Sequence, residues 1–214
     1  MRIKYSIALI AFVASVASVF SQSDIRAREI LKESGQMYKR YKTLSADFAL
    51  TTKSGSRKGF TNKGKLYIKS NKKVNMFHLD YADQTIQCDG KHIWTYNPLD
   101  EEVTLELYKK KTNDMSPEDI FNIYNKGFKA SYNGFKNAKH HITLVPKRPK
   151  KYKFSYIKVE FAKNKKLQRV VQHYKNGTDI IINITDQVPN KSLANNLFVW
   201  DAAKNKNVTL VDLR

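Results

Sequence analysis

The 214-residue chain carries 39 Lys and Arg against 19 Asp and Glu, a formal charge of +20, with 41% hydrophobic residues and a single cysteine. One cysteine excludes an intramolecular disulfide and a four-cysteine zinc site. The basic excess suits a phosphate-rich partner, either nucleic acid or an anionic membrane surface, or a solubilising lysine coat.

The first residues read as a sorting signal. Arg2 and Lys4 precede an uncharged run from Ile7 to Phe20, and Val19-Phe20-Ser21 places a small residue at the cleavage position. That order of charge, apolar run and small residue is the one a signal peptidase reads. The run is shorter than the roughly 18–20 apolar residues a bilayer crossing takes, and serines dilute it. Residues 1–21 are therefore expected to be removed on export, leaving residues 22–214 as one domain of 193 residues with a charge of +18. Export argues against nucleic acid and for the lipid phosphate or acidic proteins of a cell envelope.

Two segments read as helices. Ser23 caps the first, with Asp24 in its first turn, and Ile30, Leu31, Ser34, Met37, Tyr38 and Tyr41 recur on one stripe. The second opens at Ser116-Pro117-Glu118-Asp119, with Ile120, Phe121, Tyr124 and Phe128 on its apolar side. Strands are expected at Leu44–Lys53, Arg57–Lys69, Val74–Tyr81, Thr85–Cys88, His92–Tyr96 and Glu102–Tyr108 before the second helix. Five more follow it: Phe128–Phe135, His140–Val145, Tyr152–Phe161, Leu167–Tyr174 and Asp179–Asp186. Ser54-Gly55, Asp89-Gly90, Asn97-Pro98, Asn133-Gly134, Lys163-Asn164 and Asn176-Gly177 supply turns between them. The chain is thus mainly β, a long antiparallel meander that must curl to shield its edges. Alternation puts Leu66 with Ile68 on one face of a strand, Phe77 with Leu79 and Tyr81, and Trp94 with Tyr96. Cys88 reads as a small buried hydrophobe. The basic stretch from Pro146 to Lys151 reads as a projecting loop.

Catalytic patterns are missing. None of the five histidines has a metal-binding helical spacing, and no Gly-rich phosphate loop or Gly-x-Ser-x-Gly elbow occurs. His140 and His141 are adjacent on a strand and point to opposite faces. The chain is read as a binding protein and not an enzyme, with no cofactor and no metal. Its aromatic density suggests one curved sheet whose concave face is roofed by the two helices, an interior fit for hydrocarbon.

The stretch Phe77–Val103, FHLDYADQTIQCDGKHIWTYNPLDEEV, resembles the central signature of the LolA family of lipoprotein carriers. The elements that carry the resemblance are Phe77, Gln84, Asp89-Gly90-Lys91, Trp94, Tyr96-Asn97-Pro98 and Glu102-Val103. Weaker matches are Ser45–Phe48, Gly64–Lys69, Leu144–Lys147 and the segment from Leu197 to Asp212. The resemblance implies an unclosed β-barrel with a helical lid, located in the periplasm and acting as a monomer. Its cargo would be acylated lipoproteins, taken from an inner-membrane lipoprotein-releasing ABC transporter and handed to an outer-membrane acceptor.

On that resemblance Phe77 falls where the family carries an aromatic important for transfer. Phe48, Leu66, Ile68, Leu79, Trp94 and Tyr96 are candidate wall positions, with Ile30 and Phe121 on the lid. The family's arginine that latches the lid is replaced by Ser70, a residue without that charge or its five donors. Lys72 and Lys73 are nearby substitutes. Two other readings are a periplasmic sensor of lipidated ligands on the same fold and a lipid or glycan hydrolase.

Overall fold

The computed structural model describes residues 24–55, 57–70, 75–108 and 127–214. The expected signal peptide, the expected helix from Ser116 with Phe121, and Lys72 and Lys73 lie outside them. Helix α1 covers residues 24–39. It is followed by β1 (Thr43–Ser54), β2 (Arg57–Lys69), β3 (Met76–Tyr81), β4 (Gln84–Cys88), β5 (His92–Asn97) and β6 (Glu102–Leu107). Then come β7 (Phe128–Lys136), β8 (Lys139–Pro146), β9 (Phe154–Ala162), β10 (Leu167–Tyr174), β11 (Thr178–Pro189) and β12 (Thr209–Asp212).

The twelve strands among the described residues form one curved sheet in the order β12-β6-β5-β4-β3-β2-β1-β11-β10-β9-β8-β7. Two antiparallel meanders, β1–β6 and β7–β11, are stitched together by the long β1–β11 pairing, which runs from Leu44 opposite Pro189 to Ser54 opposite Thr178. The sheet does not close: β7 is its outer strand on one side and β12, parallel to β6, on the other. The eleven expected strands are all present. The twelfth was not expected from local pattern, because its four residues are mostly exposed and depend on β6 for pairing.

One turn differs from expectation. Asn133-Gly134 lies inside β7, at the register shift between Tyr132 and Gly134, and the hairpin to β8 turns instead at Asn137 and Ala138. Both turn residues have positive φ, 51° and 58°, so the backbone takes the tight hairpin geometry without glycine.

The core lies on one face of the sheet, under α1. The helix buries Ala27, Ile30, Leu31, Ser34 and Tyr38, the stripe that three- and four-residue spacing predicts. Each fully buried leucine or isoleucine there stabilises docking by about 1.5–3 kcal/mol.

Candidate functional site

Strand register assembles the apolar face row by row. In the first row Leu44 opposes Ile68, Ile68 opposes Phe77, Phe77 opposes Cys88 and Cys88 opposes Ile93. In the second, Ala46, Leu66, Leu79 and Ile86 follow one another across β1 to β4. The other meander continues the surface through Ile182, Val170, Val159 and Ile142. Phe77 is 1% exposed and meets Tyr108 edge-on, with ring centroids 5.9 Å apart. Phe48 stacks on Tyr81 at 6.0 Å. A methyl on Gly64 would run into the Phe48 ring and the Asp80 carbonyl, so glycine there lets the ring lie against the sheet.

Phe48, Leu66, Ile68, Phe77 and Leu79 therefore share one cluster with Ile30 of the helix. Trp94 and Tyr96, expected on the same wall, do not join it. Trp94 opposes Gln87 and Tyr96 opposes Thr85, on the opposite face of the sheet. There the C-terminal segment packs against Tyr96, while the Trp94 ring lies 5.6 Å from that of His92. Tyr96 meets Trp200 at 5.0 Å, and Phe198 in the short 3-10 turn Asn195–Phe198 is fully buried.

That segment is clamped by polar groups. Gln87 donates from Nε2 to the carbonyls of Leu197 (2.9 Å) and Val199 (3.2 Å). Lys69 donates from Nζ to the Leu193 carbonyl (2.8 Å) and to Asn195 Oδ1 (2.7 Å). His78 places Nδ1 2.8 Å from the Leu197 carbonyl and Nε2 2.9 Å from Asp80 Oδ1. Both ring nitrogens face acceptors, which favours the imidazolium with a proton on each. Burial opposes that charge, but the bonds to Asp80 and to Leu197 outweigh it and raise the His78 pKa.

The helix is held at its C-terminal end by a closed ring of hydrogen bonds. Tyr38 Oη donates to Gln187 Oε1 (2.5 Å) and accepts from the Leu167 N–H (2.9 Å), while Gln187 Nε2 donates to the Leu167 carbonyl (2.6 Å). Burial raises the phenol's pKa, so it remains a donor. Farther along α1, Glu33 lies 3.7 Å from Lys165 Nζ, and Lys165 donates to His140 Nε2 (3.0 Å). Tyr132 Oη lies 3.0 Å from the other His140 nitrogen. Loss of solvation, then the Lys165 charge, lowers the His140 pKa and keeps the ring neutral.

Among the described residues Ser70 makes no side-chain bond to the helix. It is exposed, and its backbone N–H donates to the Lys42 carbonyl (2.8 Å). Sequence reasoning placed Tyr38 on the buried stripe but did not find it as a latch; its partners lie 129 and 149 positions away. Among the described residues no group of three or more His, Cys, Asp or Glu is arranged to hold a metal.

An unclosed curved sheet with a helix seated on its apolar face is the LolA-like architecture. The family model described as outer membrane lipoprotein carrier protein LolA matches residues 39–201, and the chain belongs to that family. Among solved structures, an uncharacterized conserved protein from Thermus thermophilus is similar at 10% identity and a TM-score of 0.55, covering 87% of this chain and 99% of that one. A LolA superfamily protein from Nitrosomonas europaea is 10% identical, with a TM-score of 0.44 and coverage of 81% and 97%. No curated protein matches the chain significantly in sequence. No helix among the described residues is long and apolar enough to cross a membrane.

Proposed function

We propose that the chain is a periplasmic carrier, exported by a cleaved signal at residues 1–21, that shields lipoprotein acyl chains during transfer from the inner to the outer membrane. The donor is an inner-membrane lipoprotein-releasing ABC transporter and the recipient an outer-membrane acceptor. The activity is binding and hand-over, not catalysis. The observation that carries this reading is the unbroken apolar face from Leu44 to Ile93 lying under a helix whose far end is secured by a few polar bonds. A helix seated in this way can be displaced by hydrocarbon. Each methylene taken out of water contributes about 0.8 kcal/mol, so a sixteen-carbon chain returns about 12 kcal/mol, more than the burial of two or three α1 side chains.

Phe77, Leu79, Leu66, Ile68 and Phe48 line the acyl site in this reading, with Ile30 and Phe121 on the lid. Tyr38 takes over the latch that Ser70 cannot provide.

The test is release of acylated lipoprotein from inner membranes into a soluble complex with the purified chain. Phe77→Glu puts a charge on the acyl path and should abolish release, while Phe77→Leu, which keeps the site apolar, retains it. A Phe77→Glu protein that folds and releases lipoprotein as well as the parent sinks the reading.

A further inference from the structure

The strand directions bring the turns after β1, β8 and β10 to one end of the sheet. The turn after β8 carries Lys147, Arg148, Lys150, Lys151 and Lys153, all exposed. Its neighbours add Lys175 from the β10–β11 turn and Lys53 and Arg57 from the β1–β2 hairpin, exposed as well. The β8–β9 and β10–β11 turns are tied together: Lys175 donates from Nζ to the Pro149 carbonyl (2.8 Å) and from its backbone N–H to the Lys153 carbonyl (3.1 Å). None of these cations pairs with a carboxylate among the described residues.

Two apolar features accompany the charge. Phe60, beside the irregular tip of the β1–β2 hairpin, is 90% exposed. Beneath the β8–β9 turn, Phe128, Tyr152 and Phe154 form an aromatic cluster with centroids 5.0–6.2 Å apart, and Phe128 and Tyr152 are only half-buried. Exposed acids at this end, Asp83, Asp100 and Glu101, lie on the β3–β4 and β5–β6 turns, across the sheet from the cations. Asp179, the one carboxylate described among the cations, sits half-buried opposite Lys53 and is taken up by His173 Nδ1 at 2.6 Å, so the exposed charge of this end divides into a basic half and an acidic half.

We propose that the basic half, with Phe60, is a docking surface for an anionic phospholipid bilayer. Lysine and arginine supply the attraction to lipid phosphate, and a phenylalanine beside them suits the interface between headgroup and acyl chain. The acidic half turns away from the bilayer and fixes the orientation. This deepens the carrier reading and rests on it for its purpose, since docking would bring the acyl site to the membrane where cargo enters or leaves. Each cation held near such a surface multiplies partitioning about fivefold, and salt screens the effect.

Co-sedimentation of the purified chain with vesicles tests the surface. Binding is expected to phosphatidylglycerol–phosphatidylcholine vesicles at low salt, with marked weakening at high salt and none to phosphatidylcholine alone. The combined variant Lys147→Gln, Arg148→Gln, Lys150→Gln and Lys151→Gln should lower partitioning by about a hundredfold or more. Phe60→Ser should lower it about tenfold, and Asp100→Asn should not lower it. Equal binding to neutral vesicles, no binding at all, or a quadruple variant that binds like the parent overturns the proposal; the last two leave an acidic protein as the partner of this surface. Binding of a fluorescent fatty acid in solution is measured on the same proteins. Fatty-acid binding without vesicle binding removes the docking surface and spares the carrier. Vesicle binding without fatty-acid binding does the reverse.

Discussion

Tyr38 and Gln187 share a hydrogen bond of 2.5 Å across 149 positions of sequence, and that bond with Leu167 closes the helix onto the sheet. Tyr38→Phe keeps the ring's packing and removes the hydroxyl. The Leu167 N–H and Gln187 Oε1 then lose their partner in a buried setting, at a cost of about 1–3 kcal/mol. The expected result is faster amide exchange across residues 24–39 while exchange in β1 and β2 stays slow, together with faster uptake of an acyl ligand. Unchanged exchange in α1 removes Tyr38 from the latch.

The two faces of the sheet separate binding from support. Tyr96→Ala removes the ring against Trp200 on the covered outer face and should lower stability by about 1–3 kcal/mol, part of it the ring pair itself. Acyl affinity should stay within about twofold, whereas Phe77→Glu abolishes it. Thermal melting and fatty-acid titration on the same samples distinguish the two, and a large affinity loss for Tyr96→Ala would return that residue to the binding wall.

Trp94 and Tyr96 lie on the outer face because every hairpin of this meander reverses parity. Ile68 opposes Phe77, Phe77 opposes Cys88 and Cys88 opposes Ile93. The core face therefore takes even-numbered residues from β2 and β4 and odd-numbered ones from β3 and β5. Alternation within a strand was legible, as were the helix stripe and the burial of Cys88, because each depends on a local period. Parity across a loop, the pairing of Tyr38 with Gln187 and the addition of β12 beside β6 depend on tertiary pairing, and no local pattern carries them. Asn133-Gly134 misled for the opposite reason: the chemistry suits a turn, yet the same positive φ at Gly134, 102°, serves a bulge within β7.

Gly64 offers a steric test of the wall. Its φ is not in the left-handed region, so the effect of Gly64→Ala is contact alone. The added methyl meets the Phe48 ring and the Asp80 carbonyl; the ring can swing away but the carbonyl is fixed in the β2–β3 ladder. Overpacking of this kind costs about 1–3 kcal/mol. Denaturant titration should register that loss, and in a double-mutant cycle the cost of Gly64→Ala should be smaller in a Phe48→Ala background than in the parent. A cost that Phe48→Ala leaves unchanged would mean that the ring is not the obstacle.

The two buried histidines should respond to pH in opposite senses. His78 has a raised pKa, so its contribution is fully present below the ordinary histidine value of 6.5 and is lost as pH rises through the higher folded value. His140 has a lowered pKa, so the stability of its neutral seat beside Lys165 is present above 6.5 and is lost as pH falls towards the lower folded value. Acidification from above neutrality should then tighten the segment from Leu193 to Trp200 against β3 and β4 while loosening α1 over β8. Amide exchange followed by mass spectrometry reads both regions in one experiment. His78→Gln should remove the response of the C-terminal segment alone, and His140→Gln that of the helix alone; a shared response in either variant would show that the two ends of the sheet titrate as one unit.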